Sequence, residues 1–183
     1  MRLFIAAPVP AAWHPRLRET QLELEQALPG YFRWTHPDSW HLTVLFLGAQ
    51  PSTALPVIGE AITRIAAYTP RFILSALDVG APGQLDQPRL VWLRCAERGV
   101  LSEAQRRLVE QLRELELETP RFKAHVTLGR ARKPHRVDFR EAVAKQNHGP
   151  RPPDAEVATL ILYRSYLERT GAHYEPLIEC ELA

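Results

Sequence analysis

The feature that most constrains this chain is an apolar run at residues 40–48, which reads Trp-His-Leu-Thr-Val-Leu-Phe-Leu-Gly. Such a run predicts a buried β-strand closed by a glycine. Successive strand side chains point to opposite faces, so His41 and Thr43 share one face, roughly 7 Å apart along the strand. A buried strand gains little from either polar residue, and the pair therefore marks this strand as a candidate functional element.

The same pattern returns in the second half of the chain, where residues 124–130 read Ala-His-Val-Thr-Leu-Gly-Arg. Random placement of the 7 His and 10 Thr gives roughly 0.4 His-x-Thr triplets. Two triplets that each open an apolar run ending at glycine are much less expected. We predict that the two strands, one from each half of a pseudo-twofold arrangement, face each other across one cleft.

The composition of the 183 residues is that of an ordinary globular protein, with 45% hydrophobic and 24% charged residues. This length suits a single bilobal domain over residues 1–183. The net charge is only +2, so any nucleic-acid contact depends on local clusters of basic residues.

The cysteines and the apolar segments bear on location and assembly. Cys95 and Cys180 form no Cys-x-x-Cys pair and lie in apolar runs, which favours free thiols and a cytoplasmic location. No run is long enough to span a membrane, and no signal peptide is evident. No long apolar heptad pattern is legible, so we expect a monomer.

Helical and strand patterns alternate irregularly along the chain. Helices are predicted over residues 11–28, 52–68, 98–117 and 137–146. Strands are predicted over 2–7, 31–35, 40–47, 72–79, 90–95, 123–128, 155–163 and 174–182, the last two joined by a hairpin loop at 168–171. This order predicts an α+β fold with mainly antiparallel sheets. Neither a Gly-x-Gly-x-x-Gly fingerprint nor a phosphate-binding Gly-rich loop is present, which removes the usual dinucleotide and nucleoside-triphosphate sites.

Two histidines and two threonines around one site have a definite chemical use. Histidine titrates near neutral pH, so a neutral imidazole can act as general base while a protonated partner acts as general acid. On opposite sides of one phosphorus atom they suit in-line displacement without a metal ion. The hydroxyls of Thr43 and Thr127 can donate hydrogen bonds to phosphate oxygens, whose charge grows in the transition state.

Each motif residue could instead have a purely structural role. A single strand histidine is more often structural, with its ring bonded to a backbone carbonyl, and threonine is a favoured strand residue. Two histidines could also bind zinc, but neither motif carries the third ligand that such a site needs. The matched spacing of the two motifs favours catalysis over both the structural role and the zinc site.

Seven basic residues stand against a single acidic one, Asp138, between positions 121 and 140: Arg121, Lys123, Arg130, Arg132, Lys133, Arg136 and Arg140. A solvated surface explains any one of them, but as a cluster around His125 they would attract phosphate groups and an RNA backbone. Arg130 is the leading candidate because it directly follows the motif strand. Four aromatic residues could stack a base, although core packing is the default for each: Trp34, Trp40, Phe46 and Tyr166.

The doubled motif resembles the two His-x-Thr-x signatures of the two-histidine phosphoesterase superfamily, and within it the RNA 2′,3′-cyclic phosphodiesterases, also called 2′-5′ RNA ligases. The resemblance covers essentially the whole chain. It includes the opening Arg-Leu-Phe-Ile-Ala at residues 2–6, Arg33-Trp34 before the first motif, and the late segments at 162–165 and 171–174. Val44, where leucine is commoner, is a departure that leaves the histidine and threonine unchanged.

The resemblance implies a bilobal fold in which two antiparallel sheets face a central cleft, with helices packed outside. It implies hydrolysis of RNA 2′,3′-cyclic phosphate ends, those of tRNA fragments among them, to 2′-phosphomonoesters without a metal or other cofactor. His41 would then be the proton donor and His125 the proton acceptor, while Thr43 and Thr127 hold the phosphate. A 2′-5′ RNA-joining side activity is also implied.

Two alternatives remain open from the sequence. The chain could be a non-catalytic module that binds RNA ends through its basic stretch alone. It could also be a two-histidine phosphodiesterase that acts on a small cyclic nucleotide or a 2′-5′ oligonucleotide.

Overall fold

The structure is a computed structural model that describes residues 1–83, 85–119, 121–133, 135–168 and 171–183. The hairpin loop predicted at 168–171 includes Arg169 and Thr170, which lie outside the described residues. Within the described residues the α-helices are α1 (His14–Ala27), α2 (Leu55–Ala67), α3 (Val100–Gln111) and α4 (Arg140–His148). The strands are β1 (Arg2–Pro8), β2 (Phe32–Trp34), β3 (His41–Ala49), β4 (Phe72–Gly80), β5 (Leu90–Ala96), β6 (His125–Ala131), β7 (Ala155–Val157), β8 (Thr159–Glu168) and β9 (Gly171–Glu181).

The strands form two antiparallel sheets. One has four strands in the order β3-β1-β8-β9, and the other has five in the order β2-β6-β5-β4-β7. The first motif lies on the edge strand β3, whereas the second lies on β6, inside the five-stranded sheet. The predicted α+β class with mainly antiparallel sheets is confirmed.

The two motif strands are built into the fold in the same way. Each pairs with the strand that precedes the helix before it, β3 with β1 and β6 with β5. Each of those helices then packs against the motif strand of the other half, α1 against β6 and α3 against β3. Helices α2 and α4 pack behind β8–β9 and β4 respectively. The halves are therefore interlocked by their helices.

Hydrogen bonds hold each of these two helices, α1 and α3, against the motif strand of the other half. The Gln21 amide on α1 donates to the carbonyl of Leu128 on β6 (2.9 Å). The Gln105 amide on α3 donates to the carbonyl of Val44 on β3 (2.9 Å). Apolar residues at helical spacing surround both glutamines, since Leu17 and Leu24 are buried on α1, as are the corresponding α3 residues, Leu101 and Leu108.

Several predicted boundaries differ from the structure. The strand predicted at 155–163 is two strands, β7 and β8, which lie in different sheets. The helix predicted at 98–117 ends at Gln111 and continues only as a 3₁₀ turn over Arg113–Leu115. Both motif strands run past the glycine that was expected to close them.

The core and the cysteines fit the composition. Buried apolar residues from both sheets belong to one cluster. Cys95 and Cys180 are free and buried. Among the described residues, no helix has the length and apolar character to cross a membrane.

Candidate active site

A cavity of about 900 Å³ is lined by residues of both sheets. Its walls contain all five residues singled out as site candidates: His41, Thr43, His125, Thr127 and Arg130. The two motif strands therefore meet across one cleft, as their matching patterns predict. The roles of these residues stay a prediction.

His41 is oriented by its own backbone. Its Nδ1 lies 2.8 Å from the carbonyl oxygen of Ser39, two residues earlier. A carbonyl can only accept a hydrogen bond, so Nδ1 carries the proton in the neutral ring. Nε2 is then the atom that gains and loses a proton.

His125 is held in the same manner, with Nδ1 2.7 Å from the carbonyl oxygen of Lys123. Its Nε2 is therefore also the titrating nitrogen. This bond alone does not mark the site, because His135 makes it with Lys133 (3.0 Å) and does not line the cavity. What distinguishes His41 and His125 is the shared cavity.

The rings around the two histidines differ. His41 lies among Phe4 (4.9 Å between ring centroids), Tyr174 (5.2 Å) and Tyr163 (6.3 Å). Burial is the main reason that the pKa of His41 falls from 6.5 to about 4, and the positive charges of His125 and Arg130 also lower it. In the free protein at neutral pH, His41 is therefore uncharged.

Among the described residues, the ring that His125 contacts is that of Trp92, at 4.8 Å between centroids. Burial again lowers its pKa, and the nearby charges of Arg130 and Lys123 act in the same direction. Both histidines are thus neutral in the free protein at neutral pH. A bound anion would favour their protonated forms.

The two motif threonines line the same cavity as the histidines. Thr43 is paired with Ala6 on β1, and Thr127 is paired with Trp92 on β5. Neither hydroxyl has a hydrogen-bond partner among the described residues. Both are therefore available to a ligand.

The basic cluster predicted around His125 is only partly at the site. Arg130 and Arg132 line the cavity, whereas Arg140 is paired with Asp138 and the other members are not in the cavity wall. Arg2 and Arg33 line it as well, from the other half of the chain. Sequence reasoning missed both as site residues, although Arg33 stands next to an aromatic residue just before the first motif.

The four candidate stacking residues lie in different surroundings. Trp40 is buried, and Tyr166 donates to Glu175 on the neighbouring strand (2.7 Å), outside the cavity wall. The indole of Trp34 donates to Glu25 (2.7 Å). Phe46 alone of the four lines the cavity, with 59% of its surface exposed.

The glycine of each motif serves a different purpose. Gly48 has φ +70°, a conformation that other residues rarely adopt. Gly129 lies under the ring of Trp34, and a Cβ there would be 2.8 Å from it. One glycine bends its strand, and the other lets an aromatic ring lie on its strand.

Within the described residues, no group of three His, Cys, Asp or Glu side chains could hold a metal ion. The side chains that can act chemically in the cavity are imidazoles, hydroxyls and guanidiniums. Such a set binds anions and transfers protons.

The chain is similar to known proteins. The model of the family described as LigT like phosphoesterase matches residues 8–92. The RNA 2′,3′-cyclic phosphodiesterase of Archaeoglobus fulgidus is 29% identical over 180 residues, which cover 97% of this chain and 98% of that protein. A Geobacillus stearothermophilus protein of the same name is 26% identical over 91% of this chain. The chain spans about half (53%) of the length of that second relative.

Solved structures show the same fold. TT0787 of Thermus thermophilus superposes with a TM-score of 0.81 at 27% identity, covering 100% of this chain and 98% of that one. Escherichia coli LigT complexed with 3′-AMP superposes with a TM-score of 0.68 at 27% identity, covering 99% and 96%. The family model, the relatives and the solved structures all indicate that the chain is similar to the LigT-like phosphoesterases of the two-histidine superfamily.

Proposed function

We propose that this protein hydrolyses the 2′,3′-cyclic phosphodiester at RNA ends to a 2′-phosphomonoester, without a metal ion. The observation that carries the proposal is the placement of two histidines, each with Nε2 as its titrating nitrogen, in the wall of one cavity. Two unbonded threonine hydroxyls line the same wall. Among the described residues, no Asp or Glu lines it, which suits an anionic substrate.

The proposed reaction is a single in-line displacement. Nε2 of His125 takes a proton from water as the water oxygen forms a bond to phosphorus. The bond from phosphorus to the 3′ oxygen breaks on the opposite side, and that oxygen takes the proton from Nε2 of His41. The products are a 2′-phosphomonoester and a free 3′ hydroxyl.

Thr43, Thr127 and Arg130 act on the phosphate itself. Their donors lie at the cavity wall, and charge on the non-bridging oxygens grows during the displacement. The guanidinium of Arg130 also suits the planar, paired oxygens of a phosphate group. These three residues stabilise the transition state while the histidines move protons.

His41 becomes protonated when the substrate binds. In the free protein its pKa is about 4, so the ring is neutral at pH 7 and cannot donate. The anionic phosphodiester offsets the unfavourable charge of the imidazolium and raises that pKa. The imidazole of His41 is thus protonated only in the complex with the substrate.

The relatives support this substrate class. Curated proteins from three organisms that match the chain are named RNA 2′,3′-cyclic phosphodiesterase. Structures of E. coli LigT hold 3′-AMP and phosphate. For this chain we propose RNA ends as the substrate, those of tRNA fragments included, a cytoplasmic monomer as the working form, and 2′-5′ RNA joining as a side activity.

The test is incubation with an RNA oligonucleotide ending in a 2′,3′-cyclic phosphate, with and without EDTA. We expect a 2′-phosphomonoester, identified by ³¹P NMR, at equal rates in both. RNA binding without turnover would instead support a binding module, and loss of turnover in EDTA would contradict metal independence. Parallel assays with a cyclic mononucleotide and a 2′-5′ dinucleotide separate the two small-substrate alternatives.

A further inference from the structure

The arginines of the cavity differ from those elsewhere. Many surface arginines are paired with carboxylates, as Arg64 is with Glu60 and Arg94 with Asp78. By contrast, none of the four that line the cavity forms an ion pair with a described residue: Arg2, Arg33, Arg130 and Arg132. Four unneutralised guanidiniums around one space leave it strongly attractive to anions.

Two of these arginines stand directly opposite each other. Arg33 on β2 is the register partner of Arg130 on β6, and both line the cavity. Directly opposed side chains have Cβ atoms roughly 5 Å apart, and like charges in that position destabilise a sheet. An anion bound between or beside them removes the repulsion. The fold retains a pairing that is unfavourable without a ligand.

Arg33 and Arg132 line the cavity where β2 pairs with the end of β6, since Arg33 is opposite Arg130 and the backbone N–H of Arg132 donates to the carbonyl of Tyr31 (3.0 Å). Arg130, the register partner of Arg33, is five residues beyond His125 on β6, which is roughly 16 Å along a strand, and Arg132 is two residues further on. The cavity of about 900 Å³ is also large for one cyclic phosphate, since pockets of roughly 300–1,000 Å³ hold whole drug-sized ligands. Space and positive charge therefore continue past the reacting phosphate.

We propose that Arg33 and Arg132 form a second phosphate subsite beside the catalytic one, which binds the phosphate on the 5′ oxygen of the terminal nucleotide. This inference rests on the proposed function. In an RNA chain that group is the phosphodiester linking the last two nucleotides, one ribose away from the cyclic phosphate. The subsite thus makes the protein specific for the end of a chain rather than for a nucleoside cyclic phosphate.

The test compares adenosine 2′,3′-cyclic phosphate with its 5′-phosphorylated form at fixed ionic strength. We expect the wild type to favour the 5′-phosphorylated substrate at least about tenfold in kcat/KM, since one charge-assisted phosphate contact is worth about that much. Arg33→Gln should lose most of the preference, and Arg132→Gln part of it. Arg151→Gln is the matched control, because Arg151 is exposed and does not line the cavity.

A binding arm keeps this inference separate from the proposed function. Calorimetry would compare adenosine 2′-phosphate with adenosine 2′,5′-bisphosphate, which needs no turnover. If neither cyclic substrate reacts, the proposed function fails, and the affinity ratio still decides on the subsite. Equal affinities in the wild type, or a ratio that Arg33→Gln leaves unchanged, overturn the second subsite. Removing the like-charge pair should also leave the Tm of Arg33→Gln equal to or above that of the wild type.

A second inference comes from α1 and α3, each of which packs against the motif strand of the other half. Gln21 stands 20 residues before His41, and Gln105 stands 20 residues before His125. Each glutamine bonds the carbonyl of the residue directly after the threonine of the other motif. Both receiving residues, Leu128 and Val44, are buried. The Gln21 amide also donates to the carbonyl of Thr35 (2.8 Å).

We infer that Gln21 and Gln105 are positioning residues that act across the two halves: Gln21 on the strand of His125, and Gln105 on the strand of His41. Removing either amide takes one donor from a carbonyl of the motif strand and loosens that strand at the motif, although the Leu128 carbonyl keeps the N–H of Thr35 (2.8 Å). The effect of each change should be larger at the histidine of the strand that loses the bond than at the other histidine. A purely structural role would disturb both or neither.

NMR titration of the histidine rings with phosphate bound tests this second inference. Gln105→Met should shift the signals and apparent pKa of His41 more than those of His125, and Gln21→Met should do the reverse. Gln111→Met and Gln26→Met are matched controls, since both residues are exposed on the same helices. Equal shifts of both rings in each variant, or shifts matching the controls, overturn the crossed assignment.

Discussion

His41 and His125 are held alike and surrounded differently. Each has Nδ1 bonded to the carbonyl two residues earlier, at 2.8 Å and 2.7 Å. His41 lies on an edge strand among aromatic rings, whereas His125 lies inside its sheet against one indole. The hydrogen bond that both rings share orients Nε2. The different surroundings set the pKa of each ring. Similar motifs can therefore take unequal roles.

Removing either ring should have the largest effect. His41→Ala and His125→Ala should each lower kcat/KM on a cyclic-ended RNA by about 10³- to 10⁴-fold, because each removes one proton transfer. The residual rates should separate the roles: His125→Ala loses the acid limb of the pH profile, and His41→Ala loses the alkaline limb. Near-wild-type turnover by either variant would rule out the two-histidine mechanism.

The threonines should matter next. Thr43→Val and Thr127→Val keep the side-chain shape and remove the hydroxyl, so each should cost about 10²-fold in kcat with little change in stability. Equal losses indicate a phosphate that lies midway between the two motifs. A loss confined to one variant shows that the site is as asymmetric for the phosphate as it is for the imidazoles.

The motif glycines should differ in stability. Gly129→Ala places a Cβ 2.8 Å from Trp34, whose indole is also fixed by Glu25, and should cost about 2 kcal/mol. Gly48→Ala meets open space but keeps φ +70°, at about 1 kcal/mol. Thermal unfolding should therefore show the larger drop in Tm for Gly129→Ala. The opposite order would mean that the Trp34 ring moves aside at little cost.

The subtlest expected difference lies in the pH dependence. kcat/KM reports the free protein, in which the pKa of His41 is about 4 and that of His125 is below 6.5. Bound phosphate raises both, so kcat should have its optimum at higher pH than kcat/KM. Between about pH 6.5 and 8, kcat/KM should thus fall more steeply than kcat. Superimposable profiles would contradict proton uptake with the substrate.

Folding stability has its own pH dependence. The unfolded chain binds a proton at His41 near pH 6.5, while the folded chain resists doing so until about pH 4. His41 therefore favours unfolding as the pH falls through this range. His41→Leu should reduce that loss of stability in urea titrations, and His36→Leu, at an exposed position, is the control.

Local pattern was enough to predict the two motif strands, because apolar runs and paired polar residues are short-range signals. The same holds for the α+β class, since helix and strand patterns were strong enough to order most elements. The break at Ala158 could not be read, because the residues around it are strand-like and only their partners assign them to different sheets. Arg2 and Arg33 were missed for a related reason: the pairings that place them in the cavity join distant parts of the chain.

The packing of α1 and α3 against the motif strands of the opposite halves also affects how the chain folds. Gln21 and Leu128 are 107 positions apart, so α1 has no completed surface to pack against until β6 has been made. Contacts between such distant segments slow folding, because the intervening chain must be ordered first. They also couple the opening of one half to the opening of the other. Amide hydrogen exchange should accordingly show that β3 and β6 open together as one cooperative unit. The cavity between them should form late in folding.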